Sequence, residues 1–544
     1  MAYVVTQNCC NDATCVAVCP VDCIHPTPAE REYKRTEMLY IDPDTCIDCG
    51  ACSDVCPVDA IVPGDEIAPD IDFYRELNAE YFRHHPRETP LGAHVQPLPL
   101  TVATSGVADP PPLRVAIVGS GPSAFYAAEE LLARRDIAAE ITMFEKLPVA
   151  GGLVRFGVAP DHWHTKTVDR VFDRTARREG FTFHLGVEVG RDVTVDELMT
   201  HHHAVIHASG AAGDRRLGVP GENLSGSHAA REMVAWYNGH PDHADHTFDL
   251  TGHRAVVVGN GNVALDVARI LVSDPESLRS TDIADHALSA LVDNRIEEVV
   301  VLGRRGPEHA ACTTPELLAL GSLPGIDVLV DGPLHVGMDA PMKMRILADY
   351  AGRTPTPGNR RIVLRFGCKP EEVVGVEHVE SLIVADTDTG VTEKIVCGLV
   401  LRAIGYRGTP IAGLPFDDEA FTVGNVAGRV VVPETSEPVV GQYVAGWIKR
   451  GATGVIGTNR YCAAETVESL LDDHRAGRLA APTASSADLT ALVHARRPDA
   501  LGGGDWRAID RHEREQGRAA GRPRVKIVDA TAAVDVAIAS RASR

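Results

Sequence analysis

The chain of 544 residues has no apolar run long enough to cross a membrane, and its first residues lack the basic, then apolar, order of a secretion signal. An excess of positive charge is missing as well. Lys and Arg number 53 against 75 Asp and Glu, a formal net charge of −22. Nucleic-acid phosphates demand a basic surface, so this balance argues against a nucleic-acid partner. Apolar residues are not scarce: at 44% they match an ordinary globular protein. The length exceeds what one core fills, so three or more domains are expected.

What is present is a ladder of cysteines. Cys9, Cys15 and Cys19 are followed by Cys46, Cys49, Cys52 and Cys56, and a proline stands after both Cys19 and Cys56. The second run, Cys46-x2-Cys49-x2-Cys52-x3-Cys56-Pro57, has the bacterial iron–sulfur spacing. The first run repeats that spacing with one cysteine missing, and Asp12 stands in its place. Cys-x2-Cys pairs also build zinc sites, but zinc ribbons space two pairs by a dozen or more residues and do not close on Cys-Pro. Disulfides fit less well still. Thiolate is the soft ligand that iron–sulfur clusters select, so two unequal clusters and one-electron chemistry are expected. Cysteines that must stay reduced point to a cytoplasmic location.

Residues 1–66 carry eight Asp and four Glu against one Lys and two Arg. This charge is either a solvated face or a surface that docks on a basic patch elsewhere. Residues 67–112 change character and are expected to be a linker, most plainly in the Pro-, Thr-, Ala- and Gly-rich stretch 88–111. From Arg114 a pattern of strand, glycine turn and helix occurs twice, as in parallel α/β sheets. After about residue 475 a tail follows with weak helical patterning, interrupted by Gly502-Gly503-Gly504.

The first glycine turn is Gly119-Ser120-Gly121-Pro122-Ser123-Ala124, between strand 114–118 and a helix. Such a turn admits a pyrophosphate to a helix N-terminus, and Glu145, ending the next strand, suits a ribose. The second, Gly259-Asn260-Gly261-Asn262-Val263-Ala264, follows strand 255–258. Here the acidic residue is absent. The next strand ends at Gly303-Arg304-Arg305-Gly306, two guanidiniums of the kind a 2′-phosphate requires. The longer spacing calls for an insertion around 274–294. FAD in one site and NADP(H) in the other is the expectation.

These residues resemble a known family. The stretch Gly151–His162, the segment Gly259–Arg269, the Arg304-Arg305-Gly306-Pro307 turn and the run Gly446–Asn459 are similar to adrenodoxin-reductase-type ferredoxin–NADP⁺ reductases over residues 114–475. Residues 1–66 resemble bacterial two-cluster ferredoxins, so the whole chain looks like a ferredoxin-fused member. The resemblance implies an α/β fold of two Rossmann-like, three-layer domains of glutathione-reductase type behind a small α+β ferredoxin domain. FAD binding would fall to 113–215 and 400–475, NADP binding to 216–399, and 476–544 would be an extension. In two-cluster ferredoxins the last cysteine of each run crosses over. Cys46, Cys49, Cys52 and Cys19 would then hold a 4Fe–4S cluster, and Cys9, Cys15, Cys56 and Asp12 a 3Fe–4S or aspartate-ligated 4Fe–4S cluster. Cys10 and Cys23 are expected to be free, buried thiols.

By the same resemblance, Gly119, Gly121, Ser123, Ala124, Glu145, Leu153, Val187, Trp447 and the run Gly454, Val455, Ile456 would surround FAD. Asn260, Gly261, Asn262, Val263, Arg304, Arg305, Glu316 and Gly454 would meet NADP(H). His162 and Glu316 would lie by the reacting rings. Hydride transfer needs no acid–base residue, and the carboxylate that relatives often carry one turn after Glu316 is here Ala319, which puts a His–carboxylate pair in doubt. His201-His202-His203 and His240, His243, His246 read as polar loops sooner than metal sites, with Pro241 against a regular helix. The reading is NADPH–ferredoxin oxidoreductase, with an external ferredoxin or a cytochrome P450 system as acceptor. An electron-input subunit of a larger synthase and a redox or iron sensor are the alternatives.

Overall fold

The computed structural model describes residues 2–85, 111–337 and 339–542. Two large sheets organise it. The seven-stranded sheet runs in the order Asn425–Val426, Arg429–Val431, Pro438–Val444, Ala204–His207, Leu113–Val118, Ala139–Glu145 and Phe181–Leu185. Its last five strands are parallel. The strand Leu113–Val118 is buried along nearly its whole length, as continuous apolar runs in doubly covered parallel sheets are. The helix Pro122–Leu132 follows it directly and packs on the helix Ile456–Arg475.

The second sheet has six parallel strands: Ser227–Ala229, Leu399–Arg402, Arg254–Val258, Glu298–Leu302, Arg360–Arg365 and Ile326–Val330. The expected insertion is there, as the helices Pro275–Leu278 and Asp285–Val292. The boundary at 399/400 needs correction. It falls inside the strand Leu399–Arg402, which stays with the second sheet. The chain returns through the antiparallel pair Gly213–Asp214 with Tyr406–Arg407, a two-stranded bridge between the domains.

The N-terminal unit pairs Val4–Val5 with Ile61–Val62 and Ile24–His25 with Tyr40–Ile41, and carries the short helices Thr14–Val18 and Ala51–Val55. Each helix opens on a left-handed residue, Ala13 at φ 58° and Gly50 at φ 77°. The span expected as a linker from 67 onward begins instead with a helix, Phe73–His84. Its buried Asn78 ties the two small sheets together, accepting from the backbone N–H of Val5 and Ile41 and donating to Val5 O. A buried amide satisfied this way fixes one packing arrangement. Most of the Pro- and Ala-rich stretch, 86–110, lies outside the described residues.

The tail after 475 is likewise structured. Helices span Ser486–Arg496, Gly503–Ala519 and Ala530–Ala542, and the glycine triplet opens the second of these where an interruption was expected. Leu489, Val493 and Ala500 pack with Ala116, Val118 and Phe144 of the first sheet. The three consecutive histidines lie against this tail and their own turn. His201 Nδ1 is 2.9 Å from Ser485 O, His202 Nδ1 is 2.8 Å from Leu198 O, and His203 Nδ1 accepts from Arg114 N. Pro241–His243 forms a single 3₁₀ turn.

Candidate functional site

Both glycine turns sit at strand ends, where backbone must pass close to backbone. At Gly119, φ is 101° and a Cβ would stand 2.6 Å from Ala208 O; at Gly259, φ is 116° and a Cβ would stand 2.3 Å from Ala403 O. Only glycine fits these positions. Two adjoining cavities of about 480 Å³ and 1260 Å³ open above the turns.

The first cavity is lined by Gly119, Gly121, Ser123, Glu145, Leu153, Trp447, Gly454, Val455 and Ile456. Glu145 accepts from Ser120 N and Oγ and from Leu147 N, which orients its carboxylate at the strand end, while burial pushes its pKa up. At Gly152, φ is 50° and a Cβ would stand 2.8 Å from Gly121 Cα, so the segment 151–157 packs against the glycine turn and forms a wall of the cavity. Trp447 is anchored by its indole N–H on Thr453 O at 3.1 Å and faces both cavities. Two residues behave differently. Val187 does not line the cavity: its side chain is 1% exposed among Val118, Phe144 and Val193, and its N–H bonds Glu145 O. Ala124 is wholly buried in the helix–sheet core.

The second cavity is lined by Asn260, Gly261, Asn262, Val263, Gly454 and the exposed Arg304 and Arg305. Glu316 lies instead on the wall of the first, while Asn262, Val263, Trp447 and Gly454 border both. Thr313 caps its helix, Thr314–Leu320.

Around Glu316 the doubt raised by Ala319 is removed from another direction. His162 Nδ1 stands 3.7 Å from Glu316 Oε1 and 3.9 Å from Asp266 Oδ1. Asp266 comes from the helix Asn262–Val272 that follows the second glycine turn. One turn on, Arg269 bonds Asp266 and forks onto Asp161. Burial alone would push the Asp161 carboxyl up, but the Arg269 guanidinium outweighs it and holds it at about 2. Burial pushes Glu316 up. Sequence reasoning missed Asp266 and also Gln7, whose amide reaches Glu316 Oε2 at 3.1 Å from the N-terminal unit. Asp266 sits four residues past Asn262, on the same helix face, and that spacing was the available signal. Gln7 offered none.

The cysteines of the N-terminal unit form two groups. Cys19, Cys46, Cys49 and Cys52 surround one small cavity. Cys9, Cys15 and Cys56 gather at the other end with Asp12. Four thiolates in the first set and three plus a carboxylate in the second suit iron–sulfur ligation. The Asp12 carboxylate accepts from Thr14 N and Oγ and lies 3.6 Å from Arg460 Nη1. Cys10 and Cys23 are free and buried.

The second end faces the first cavity. Cys9 and Cys10 line it beside Ile456, and Gly457 N donates to Cys10 O at 2.6 Å. Arg460 donates to Asp12 O and Thr14 Oγ at 3.0 Å each. The acidic unit also meets bases of the second domain, with Glu37 on Lys343 and Glu76 and Glu80 on Arg345.

Two dinucleotide folds joined at a shared cavity, with a cysteine-ligand domain at its mouth, define an FAD-dependent pyridine-nucleotide oxidoreductase equipped for one-electron transfer. Residues 113–301 match the family described as pyridine nucleotide-disulphide oxidoreductase, and residues 39–62 match a 4Fe-4S binding domain. A probable ferredoxin/ferredoxin–NADP reductase of Mycobacterium tuberculosis is 48% identical over 97% of this chain and 94% of its own. The NADPH-ferredoxin reductase FprA of Mycobacterium leprae is 46% identical over 76% of this chain and 96% of its own. The solved structure of Mycobacterium tuberculosis FprA in complex with NADPH aligns with a TM-score of 0.73 at 42% identity, covering 78% of this chain and all of that one. The chain belongs to the family of ferredoxin/ferredoxin–NADP reductases. No helix among the described residues is long and apolar enough to cross a membrane.

Proposed function

We propose that this chain is an NADPH–ferredoxin oxidoreductase whose own N-terminal domain receives the electrons first. The observation that carries the reading is the seating of Cys9 and Cys10 on the cavity lined by Gly119, Glu145 and Ile456, with Cys10 O bonded to Gly457 N. When bound, FAD accepts hydride from NADPH and gives up electrons singly, which matches a two-electron donor to one-electron clusters.

The residues supply binding, orientation and exclusion of water. Gly119 and Gly121 admit the FAD pyrophosphate to the N-terminus of the helix Pro122–Leu132, and Glu145 takes the ribose hydroxyls. Gly261 and Asn262 do the same for NADPH, while Arg304 and Arg305 fork onto its 2′-phosphate. Trp447 borders both cavities, and Glu316 stands on the wall of the first. His162 stands beside Glu316, with Asp266 on the same side of its ring.

Cys9, Cys15 and Cys56, with Asp12, form the ligand set nearest the flavin cavity, and Cys46, Cys49, Cys52 and Cys19 the set beyond it. Cys49 is exposed. A carboxylate is a harder and weaker ligand for iron than a thiolate, and Asp12 already accepts two hydrogen bonds from Thr14. Both features favour a 3Fe–4S centre there and a 4Fe–4S centre by Cys49. The external acceptor, a ferredoxin or a cytochrome P450 system in the cytoplasm, then meets the Cys49 face, because the flavin mouth is covered.

Anaerobic mixing with NADPH and with NADH, following flavin and cluster absorbance, tests the reading. NADPH is expected to reduce the flavin far faster than NADH, with cluster bleaching following. Full flavin reduction with no bleaching refutes internal transfer.

A further inference from the structure

The amide of Gln7 sits between two groups of the reductase. Its Nε2 donates to Glu316 Oε2 at 3.1 Å and stands 3.4 Å from His162 Nε2. An amide oxygen in this place would face a carboxylate oxygen, acceptor against acceptor, so the NH₂ group belongs there. Its two hydrogens then serve both neighbours, one to Glu316 and one to the ring. Nε2 becomes the accepting nitrogen, and the ring proton lies on Nδ1, facing Glu316 Oε1 and Asp266 Oδ1.

Two further residues of the N-terminal unit grip the same helix. Glu37 Oε2 accepts from Thr314 N at 2.7 Å in the first turn of Thr314–Leu320, while its Oε1 accepts from Lys343 Nζ at 2.9 Å. Tyr74 donates its hydroxyl to Pro315 O at 3.4 Å. A carboxylate on a free N–H at a helix start is favoured by charge as well as by hydrogen bonding. The turn that carries Glu316 is thereby fixed from across the domain boundary.

We infer that Gln7 is a positioning residue of the NADPH site: the docked ferredoxin domain, through this amide, sets the Glu316 carboxylate and the side of His162 that bears the proton. The inference rests on the reading of the two cavities given above. It makes docking of the ferredoxin domain and binding of NADP(H) reciprocal, since Glu37 and Thr313, which caps the helix Thr314–Leu320, line both cavities.

The test uses the full-length holoenzyme with Gln7→Leu, Gln7→Glu and Glu37→Gln. Three quantities are read: the NADP⁺ dissociation constant from difference absorbance, the pH profile of anaerobic flavin reduction by NADPH, and hydrogen exchange of amides 313–320. Losing a hydrogen bond to a charged group predicts about a tenfold to hundredfold slower flavin reduction in Gln7→Leu, at all pH values. Gln7→Glu sets a second carboxylate against Glu316 and loses the donor, so its rate is lowest at high pH. It recovers as pH falls and the new acid becomes protonated and donates again. The titratable and charged groups facing this position are His162, Glu316, Asp266 and Arg269, whose Nη1 lies 3.7 Å from Glu316 Oε2, with Asp161 and Tyr74 behind them. Glu37→Gln leaves Gln7 in place and is expected to speed exchange in the first turn, 314–317, about tenfold and to weaken NADP⁺ binding.

A merely structural role for Gln7 would give Leu and Glu variants the same pH-independent loss. That result, or a Gln7→Leu enzyme within twofold of the unsubstituted one in both NADP⁺ affinity and flavin reduction, overturns the inference. Failure of cluster bleaching in the unsubstituted enzyme would instead refute the electron route and leave this comparison intact.

Discussion

Glu513→Gln is the substitution by which the tail should reveal its hold on the rest of the molecule. Glu513, on the helix Gly503–Ala519, has 0% side-chain exposure. Its carboxylate accepts from Arg155 Nη1 and Nη2 at 2.9 and 2.6 Å, from Arg524 Nη1 at 3.1 Å and from Ile527 N at 2.8 Å. Arg155 belongs to the segment that walls the flavin cavity. Removing one charge of a buried pair costs about 3–5 kcal/mol, because the partner stays buried and uncompensated. A cooperative unit of roughly 430 residues, at about 2.1 cal/mol/K of unfolding entropy each, loses about 1 °C per kcal/mol. The expected fall in the melting temperature is therefore about 3–6 °C by scanning calorimetry at pH 7, with easier loss of FAD on dilution. The pH dependence follows in sign. Burial alone would push the Glu513 carboxyl up, but Arg155 and Arg524 outweigh it and hold it below its usual range. A depressed carboxyl gives its stability above the unfolded pKa of about 4.3, and that stability is lost as pH falls through the folded value. The gap between the two enzymes should be widest at neutral pH and close below about pH 4. Equal melting temperatures at pH 7 would refute the claim that this pair holds the tail to the flavin domain.

Three further outcomes are expected. Arg304→Gln or Arg305→Gln removes a charged contact to the 2′-phosphate, so KM for NADPH should rise about tenfold or more while NADH kinetics stay unchanged; parallel losses with both cofactors would displace the phosphate from this corner. Asp12→Cys restores a fourth thiolate and should convert the cluster nearest the flavin to a 4Fe form, seen in electron paramagnetic resonance, and an unchanged spectrum sinks that ligand assignment. Gly457→Ala puts a Cβ 1.8 Å from Asn11 O, a clash that only retreat of the Cys10–Asp12 backbone relieves. It should slow cluster bleaching by more than it slows flavin reduction, at an overpacking cost of about 1–3 kcal/mol; bleaching at the original rate would mean the electrons leave by another path.

What the sequence made legible was chemistry with fixed local spacing. The cysteine runs, both glycine turns, Glu145 and the Arg304-Arg305 pair lie within a few residues of a strand end or helix start, where backbone geometry dictates the residue type. What stayed hidden depends on packing between distant segments. Ala319 suggested that the carboxylate beside His162 was lost, yet Asp266 supplies one from a different helix. Gln7 reaches Glu316 across 309 positions, a pairing no local pattern announces. Val187 lies just past the strand Phe181–Leu185, after Gly186 at φ 74°, and its side chain packs in the core. The tail misled through composition, since its few apolar residues, among them Leu489, Val493, Leu501 and Ile509, are placed in the core of the first domain, and Arg524 between its last two helices pairs with Asp169.

The acidity of the N-terminal unit now has a use that net charge alone left open. Asp12, Glu37, Glu76 and Glu80 meet Arg460, Lys343 and Arg345, so part of the charge is spent inside the molecule, holding the ferredoxin domain over the flavin mouth and the Glu316 helix at once. Only the Glu76–Arg345 pair has an exposed carboxylate, and such a pair contributes about 0–1 kcal/mol; Asp12 and Glu80 are largely buried and Glu37 partly so. The tethered domain does not need many such contacts, because covalent fusion supplies a high effective concentration that a free ferredoxin lacks. A few suffice to orient a domain already held nearby. They leave the face around exposed Cys49 and Ile47, the latter 58% exposed, as the place where electrons can leave for a second protein. Fusion thus moves the docking problem from the flavin to the far cluster, and the aspartate in the ladder sits on the near side of that move, between the cavity and the exit.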